Sequence, residues 1–224
     1  MRGQLRFSGG GASPIEYIGK SNAVKTSSSS GVLTPHADTA TGDLLIVCMM
    51  TDQADSTPDI SGWTTIRSST GTEIKLKTQY FYHDGSASYT VTCSGGGTPL
   101  VARMFTFRNT AASSPIAGLL YATYSVGTSF PKLFTHDSTT EDGSYVMCVA
   151  GHNITLSSNA IGSNSNSTLT DYTEMDDSTT TIGYDGGFGV FGGWKDTAGV
   201  VGDTTVEFND AVIGVSHRFH IKPL

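Results

Sequence analysis

An all-β chain, folded as an antiparallel β-sandwich of jelly-roll or Greek-key type, is what this sequence predicts, and three observations predict it. Ser and Thr number 58 and Gly 27 among 224 residues, against 13 Lys and Arg. Thr suits strands and Gly and Ser suit turns, whereas helix surfaces draw on Glu, Lys, Gln and Arg. Apolar residues recur with a period of two in several segments, and no window shows a 3.6-residue period with helix caps. Turn residues separate these segments at short intervals, which suits about eight to ten short strands.

Residues 1–31 differ from the rest. "MRGQLRFSGGGASP" and "KTSSSSG" have little intrinsic structure, so this segment is expected to be an extended N-terminal arm, leaving 32–224 as one sandwich domain. The arm either packs on its own domain or is held by neighbouring subunits. Arg2, Leu5, Arg6 and Phe7 are its candidate partner-binding residues. The opening also lacks the apolar region of a signal peptide.

"DLLIVCMM" follows as a continuous apolar run, too short for the roughly 18–20 residues of a membrane helix and suited to a strand buried on both faces or to one bracketed by packed loops. In "EIKLKTQYFYHDG", Ile74, Leu76, Tyr80 and Tyr82 fall on one face and Lys75, Lys77, Gln79 and Phe81 on the other. "SASYTVTC" groups Tyr89, Val91 and Cys93, and "PLVARMFTFRN" groups Val101, Phe105 and Phe107 opposite Met104. An internal echo runs through the chain. "TGDLLIVCMM" is answered by "EDGSYVMCVA", matching Cys48 with Cys148, and Trp63 by Tyr172. Half-repeats of about 41–110 and 141–222 are therefore expected to complete one sandwich between them.

The series "GDLLIVCMM", "ISGWTTI", "LKTQYFYHDGSASYTVTC" and "MFTFRNTAASSPI" resembles a β-sandwich module of tailed-bacteriophage virion proteins. The match covers about residues 41–117 and closes on Phe107, Arg108, Pro115 and Ile116. It departs from the pattern where "FRN" stands for an aromatic-Arg-Gly turn and where the second half has Tyr172 for tryptophan. The shared residues are strand and turn markers, so the resemblance implies a fold and a virion setting rather than a specific activity.

Chemistry is thin elsewhere. The net charge of −7 includes no basic run, which argues against nucleic acid. Three cysteines without CxxC or Cys/His spacing give no zinc signature, and Cys48 and Cys148 read as buried thiols. His36, His83 and His136 sit beside acidic residues in "HAD", "HDG" and "THD", which read as solvated turns; His217 and His220 should point to opposite faces of a strand. No GxSxG or phosphate-binding glycine loop stands in context, and Gly186 to Gly193 read as sites of close backbone packing. Asp52, Asp55 and Asp59, and Asp171, Glu174, Asp176 and Asp177, match no calcium motif and read as solvated loop charge.

Trp63, Trp194, Tyr80, Tyr82, Tyr121 and Tyr124 offer aromatic surface for a sugar. Trp63 is expected in the core, which leaves Trp194 as the candidate ligand platform. The sequence thus predicts a non-enzymatic virion protein without metal, cofactor, nucleic-acid or membrane partner. Its expected role is capsid decoration or cement, bound to the major capsid protein or to tail proteins and homo-oligomeric in the particle. The alternative is a tail-fibre or tail-associated module recognising a host surface glycan.

Overall fold

The computed structural model describes residues 13–52, 56–94, 100–126, 131–153, 161–180 and 186–224. Strand formation starts early. β1 (Glu16–Lys20) and β2 (Val24–Thr26) both pair antiparallel with β9 (Leu100–Arg108), and β3 (Ser30–Leu33) pairs with β8 (Tyr89–Ser94). The expected arm over 1–31 is therefore corrected for residues 13–31, which build two sheets. Their strands are short and broken at Ser21–Ala23 and Ser27–Ser29, so no alternating run marks them in the sequence. Arg2, Leu5, Arg6 and Phe7 lie outside the described residues.

The first half is completed by β4 (Leu44–Thr51), β5 (Thr57–Asp59), β6 (Thr64–Thr70) and β7 (Lys75–Tyr82). Its large sheet runs β1-β9-β4-β7-β6, with β2 also on β9, and its small sheet runs β3-β8-β5. The second half comprises β10 (Ile116–Val126), β11 (Pro131–Phe134), β12 (Ser144–His152), β13 (Ile161–Ser165), β14 (Thr170–Thr180), β15 (Gly186–Lys195), β16 (Thr204–Phe208) and β17 (Val212–Ile221). Its sheets run β10-β17-β12-β15-β14 and β11-β16-β13. The two orders are the same once β10 is set against the β1–β2 pair, so the repeat is present in the topology. It begins at Glu16 and Ile116, earlier than residues 41 and 141.

Each half closes on its own small sheet, where half-repeats completing one shared sandwich were expected. The first half packs Leu33, Leu45, Val47, Met49, Trp63 and Val91 between its sheets, and the second packs Tyr124, Phe134, Cys148, Phe191 and Val206. The opposite faces of the two large sheets then meet in a third core, which includes Ile46, Met50, Phe105, Met147, Val190 and Phe219. Four layers result. All eight residues of β4 are buried: Leu44, Ile46, Cys48 and Met50 face the central core, Leu45, Val47 and Met49 face the outer one, and Thr51 donates to the Ser56 carbonyl. Antiparallel strands commonly expose one face; this one has protein on both.

The register refines the echo. Leu44 and Tyr145 both start the central-facing series of their strands, which aligns Cys48 with Val149. Cys48 faces the central core and Cys148 the outer core of the second half, so their sequence match is one residue out of structural register. The Trp63 and Tyr172 match fares differently: each packs on its half's outer core and follows a residue of positive φ, Gly62 at 84° and Asp171 at 48°.

Candidate functional site

The residues that carry the sequence resemblance are joined by charge. Asp43, at the mouth of β4, accepts two hydrogen bonds from Arg108 at the end of β9, at 2.9 and 2.8 Å, and one from the Ala40 amide at 2.8 Å. One carboxylate thus caps the turn into the core strand and ties it to the closing strand. In the second half a shorter device does the turn's part: the Ser144 hydroxyl donates to the Glu141 carbonyl at 2.8 Å.

The acidic run 171–177 is no solvated loop; it lies in β14. Asp176 is buried between the two large sheets, where it accepts from Lys20 Nζ at 2.7 Å, Arg103 Nη2 at 2.8 Å and the Ser178 hydroxyl. Burial works against its charge, but the donors from Arg103, Lys20 and Ser178 prevail and hold its carboxyl below the usual range. Asp59 likewise sits on β5 and pairs with Lys77 and with the Gln79 amide. Asp52 is buried, its two carboxyl oxygens have no hydrogen-bond partner among the described residues, and burial raises it to about 6. Asp55 lies outside the described residues. Among the described residues no three His, Cys, Asp or Glu side chains converge in a metal-binding group.

Four of the six histidines, His83, His152, His217 and His220, are buried, while His36 stays partly exposed beside Asp38. His83 is buried and His136 half-buried, against the expectation of solvated turns. Burial pushes His136 down to about 4, and His152 and His217 to about 3. His217 faces the central core, with Nδ1 3.1 Å from the Thr78 hydroxyl, while His220 lies on the other face of β17 beside Gly118. Cys48, Cys93 and Cys148 are free, and the first and last are buried.

Trp194, the expected platform, is half-buried. Its indole N–H donates to the Ile15 carbonyl at 2.9 Å and its ring meets Tyr145 edge-on at 4.8 Å. Tyr124 is buried, Tyr80 and Tyr82 pack on the central core, and Tyr121 is 52% exposed under the Arg67 guanidinium.

A cleft of about 420 Å³ opens instead at one end of the first half. Behind it lie core rings: Trp63 stacks on Phe81 at 5.4 Å and meets Tyr89 edge-on at 5.1 Å, and Trp63 and Tyr89 are both buried. The turn Ile60–Trp63 makes one wall and residues 84–90 the other. Asp84 Oδ1 accepts from the Ser86 amide at 2.9 Å and from the Tyr89 hydroxyl at 2.9 Å, and Tyr89 is backed by His83 Nδ1 at 2.8 Å. Since the Tyr89 proton goes to the carboxylate, His83 Nδ1–H is the donor to Tyr89. Hydrogen bonds from Ser86 and Tyr89 hold the Asp84 carboxyl down at about 2. Phe81, Asp84, Ser86 and Tyr89 were not singled out as site residues from the sequence. The available signal was "HDGSASY", a turn that places a carboxylate, hydroxyls and an aromatic ring within seven residues.

Compared with known proteins, the chain matches no family model, no curated protein and no solved structure.

Proposed function

We propose that this chain is a non-enzymatic structural protein of a bacteriophage virion, a capsid decoration or cement component that binds neighbouring subunits through its loops and N-terminal arm. The reading is carried by where the motif residues go. Asp43 and Arg108 lock the first core strand to the closing strand, and Trp63 fills the core behind its turn, so the shared residues serve assembly of a rigid sandwich. Four of the six histidines a catalytic plan would draw on are buried, His152 and His217 fully so. Outward contacts are available on both halves: Val32 on β3 is 51% exposed and Leu133, at the matching place on β11, is 56% exposed.

Particle association tests the proposal. An antibody against the chain should label the capsid of purified particles, and a chain lacking residues 1–11 should bind them more weakly while melting at the same temperature. A full-length chain that stays in the particle-free fraction overturns the reading. A second reading is a tail-associated module that recognises a host surface glycan, for which the open depression lined by Asp84, Ser86 and Ser88 would be the place of contact. Label confined to the tail would decide for it.

A further inference from the structure

We infer that two copies of this chain associate through the free edge of β10, where residues 120–126 pair antiparallel with themselves about a two-fold axis at Thr123 and join the two second-half sheets into one. Pairing of this kind neither requires nor excludes a place on a particle.

A strand at the margin of a sheet presents unpaired N–H and C=O groups, and proteins blunt such margins with charge, proline, bulges or shortness. The other margins among the described residues are blunted in these ways. β14 carries Asp171, Glu174 and Asp177 and shifts register between Thr170 and Thr173 and again between Glu174 and Asp176. β6 carries Arg67 and shifts beside it. β5 holds Pro58, β11 opens on Pro131 and Lys132, β3 is four residues long, and β13 shifts between Ile161 and Asn164. β10 differs. It pairs with β17 on one side only, and after a shift between Ala117 and Leu120 it runs in unbroken register to Val126 without a charge or a proline.

The fold does not ask for such an edge. The same margin of the first-half sheet is held by β1 and β2, which break at residues 21–23, shift register between Tyr17 and Gly19 and carry Lys20 and Lys25. The second half has one strand of 11 residues in that place. Its side chains reach solvent: Leu119 is 37% and Tyr121 52% exposed, Thr123 and Ser125 are exposed on the same face as Tyr121, and Ile213, opposite Ser125 on β17, adds to the strip.

Charge and register select a second copy as the occupant. No charged residue lies between Arg108 and Lys132, so two chains of net −7 meet along β10 without setting like charges side by side. The unbroken segment is centred on Thr123. A two-fold axis there sets Thr123 opposite its own copy, Tyr121 opposite Ser125 of the partner copy and Ala122 opposite its Tyr124. Each such pair lies on one face, so the exposed side of one sheet continues into the other with no slip. Seven residues from each copy form about six to eight backbone hydrogen bonds. Since the other margins are blunted, one partner satisfies the free edge and assembly closes at the dimer.

Sedimentation equilibrium of the full chain from about 1 to 200 μM tests the inference, and a reversible monomer–dimer equilibrium without larger species is expected. Thr123→Lys starts from an exposed side chain and puts two ammonium groups face to face at the axis. It should weaken the dimer about tenfold or more while the dilute monomer melts at the same temperature. Hydrogen exchange on the parent chain reads the same contact without a substitution: amides in 120–126 should gain protection as concentration rises. A chain lacking residues 1–11 should dimerise as the parent does. A monomer throughout the range, open-ended oligomers, a dimer as tight in Thr123→Lys, or exchange in 120–126 that ignores concentration overturns the inference. Loss of the dimer with residues 1–11 overturns it too, by giving the contact to that segment. Failure here leaves particle association standing, and loss of particle association leaves the dimer standing.

Discussion

Replacing Arg103 by Met should cost about 3 kcal/mol of stability. Arg103 on β9 donates from Nε at 3.1 Å and Nη2 at 2.8 Å to Asp176 on β14, and from Nη1 at 2.8 Å to the Ser21 carbonyl. The Asp176 side chain is 3% exposed and that of Arg103 16%, so the pair is shielded from solvent. Removing one partner of a buried pair costs about 3–5 kcal/mol, because the remaining charge is left in a poor solvent. Lys20 stays bonded to Asp176 at 2.7 Å but is 38% exposed, which softens the loss toward the lower end. The sign with pH follows. In the parent chain Asp176 is held below its unfolded value near 3.9, so its contribution is present above about pH 4 and lost as pH falls through the folded value. Without Arg103 burial prevails and the folded value rises, so protonation relieves the variant and its deficit should shrink at pH 4. Denaturant midpoints at pH 7 and pH 4 read this directly. Asp176→Asn in the Arg103→Met background should recover part of the loss, with a coupling of about 1–3 kcal/mol. A cost below about 1 kcal/mol at pH 7, or a deficit that is equal at both pH values, refutes the view that this ion cluster staples the two large sheets.

Three further outcomes are expected. Lowering the pH from 7 to 5 should destabilise the chain steeply: His136, His152 and His217 have folded values depressed to about 4, 3 and 3, so each loses stability as pH falls below its unfolded value near 6.5. That amounts to about 2 kcal/mol apiece by pH 5, visible in urea melts and in proton uptake on unfolding; a flat profile between pH 7 and 5 contradicts the buried neutral histidines. Asp43→Ala should cost about 2 kcal/mol by releasing Arg108 and uncapping the turn at Ala40, and unchanged denaturation would show the tie to be idle. Gly192→Ala should cost about 1–3 kcal/mol, because its Cβ would stand 2.6 Å from the Tyr145 ring, and calorimetry showing an unaltered melting temperature counts against that packing.

Composition and period carried the strand class, because alternation and the Ser, Thr and Gly content act locally, residue by residue. "TGDLLIVCMM" announced a core strand, leaving open whether sheets or packed loops cover its two faces, and the halves announced themselves through Trp63 and Tyr172. What the sequence by itself could not determine is partnership across the chain. Asp176 and Lys20 are 156 residues apart, and nothing near "DYTEMDD" marks it as the end of an ion cluster rather than solvated charge. "HDG" reads as an ordinary turn until the fold brings Trp63 and Phe81 beneath it. Strand order decided the rest. Only pairing with β9 and β8, and with β17 and β16, turned β1 to β3 and β10 with β11 into parts of a repeat, and a one-residue change in register separated Cys48 from Cys148. Pattern along the chain fixes which face a side chain takes; long-range pairing alone fixes what that face meets.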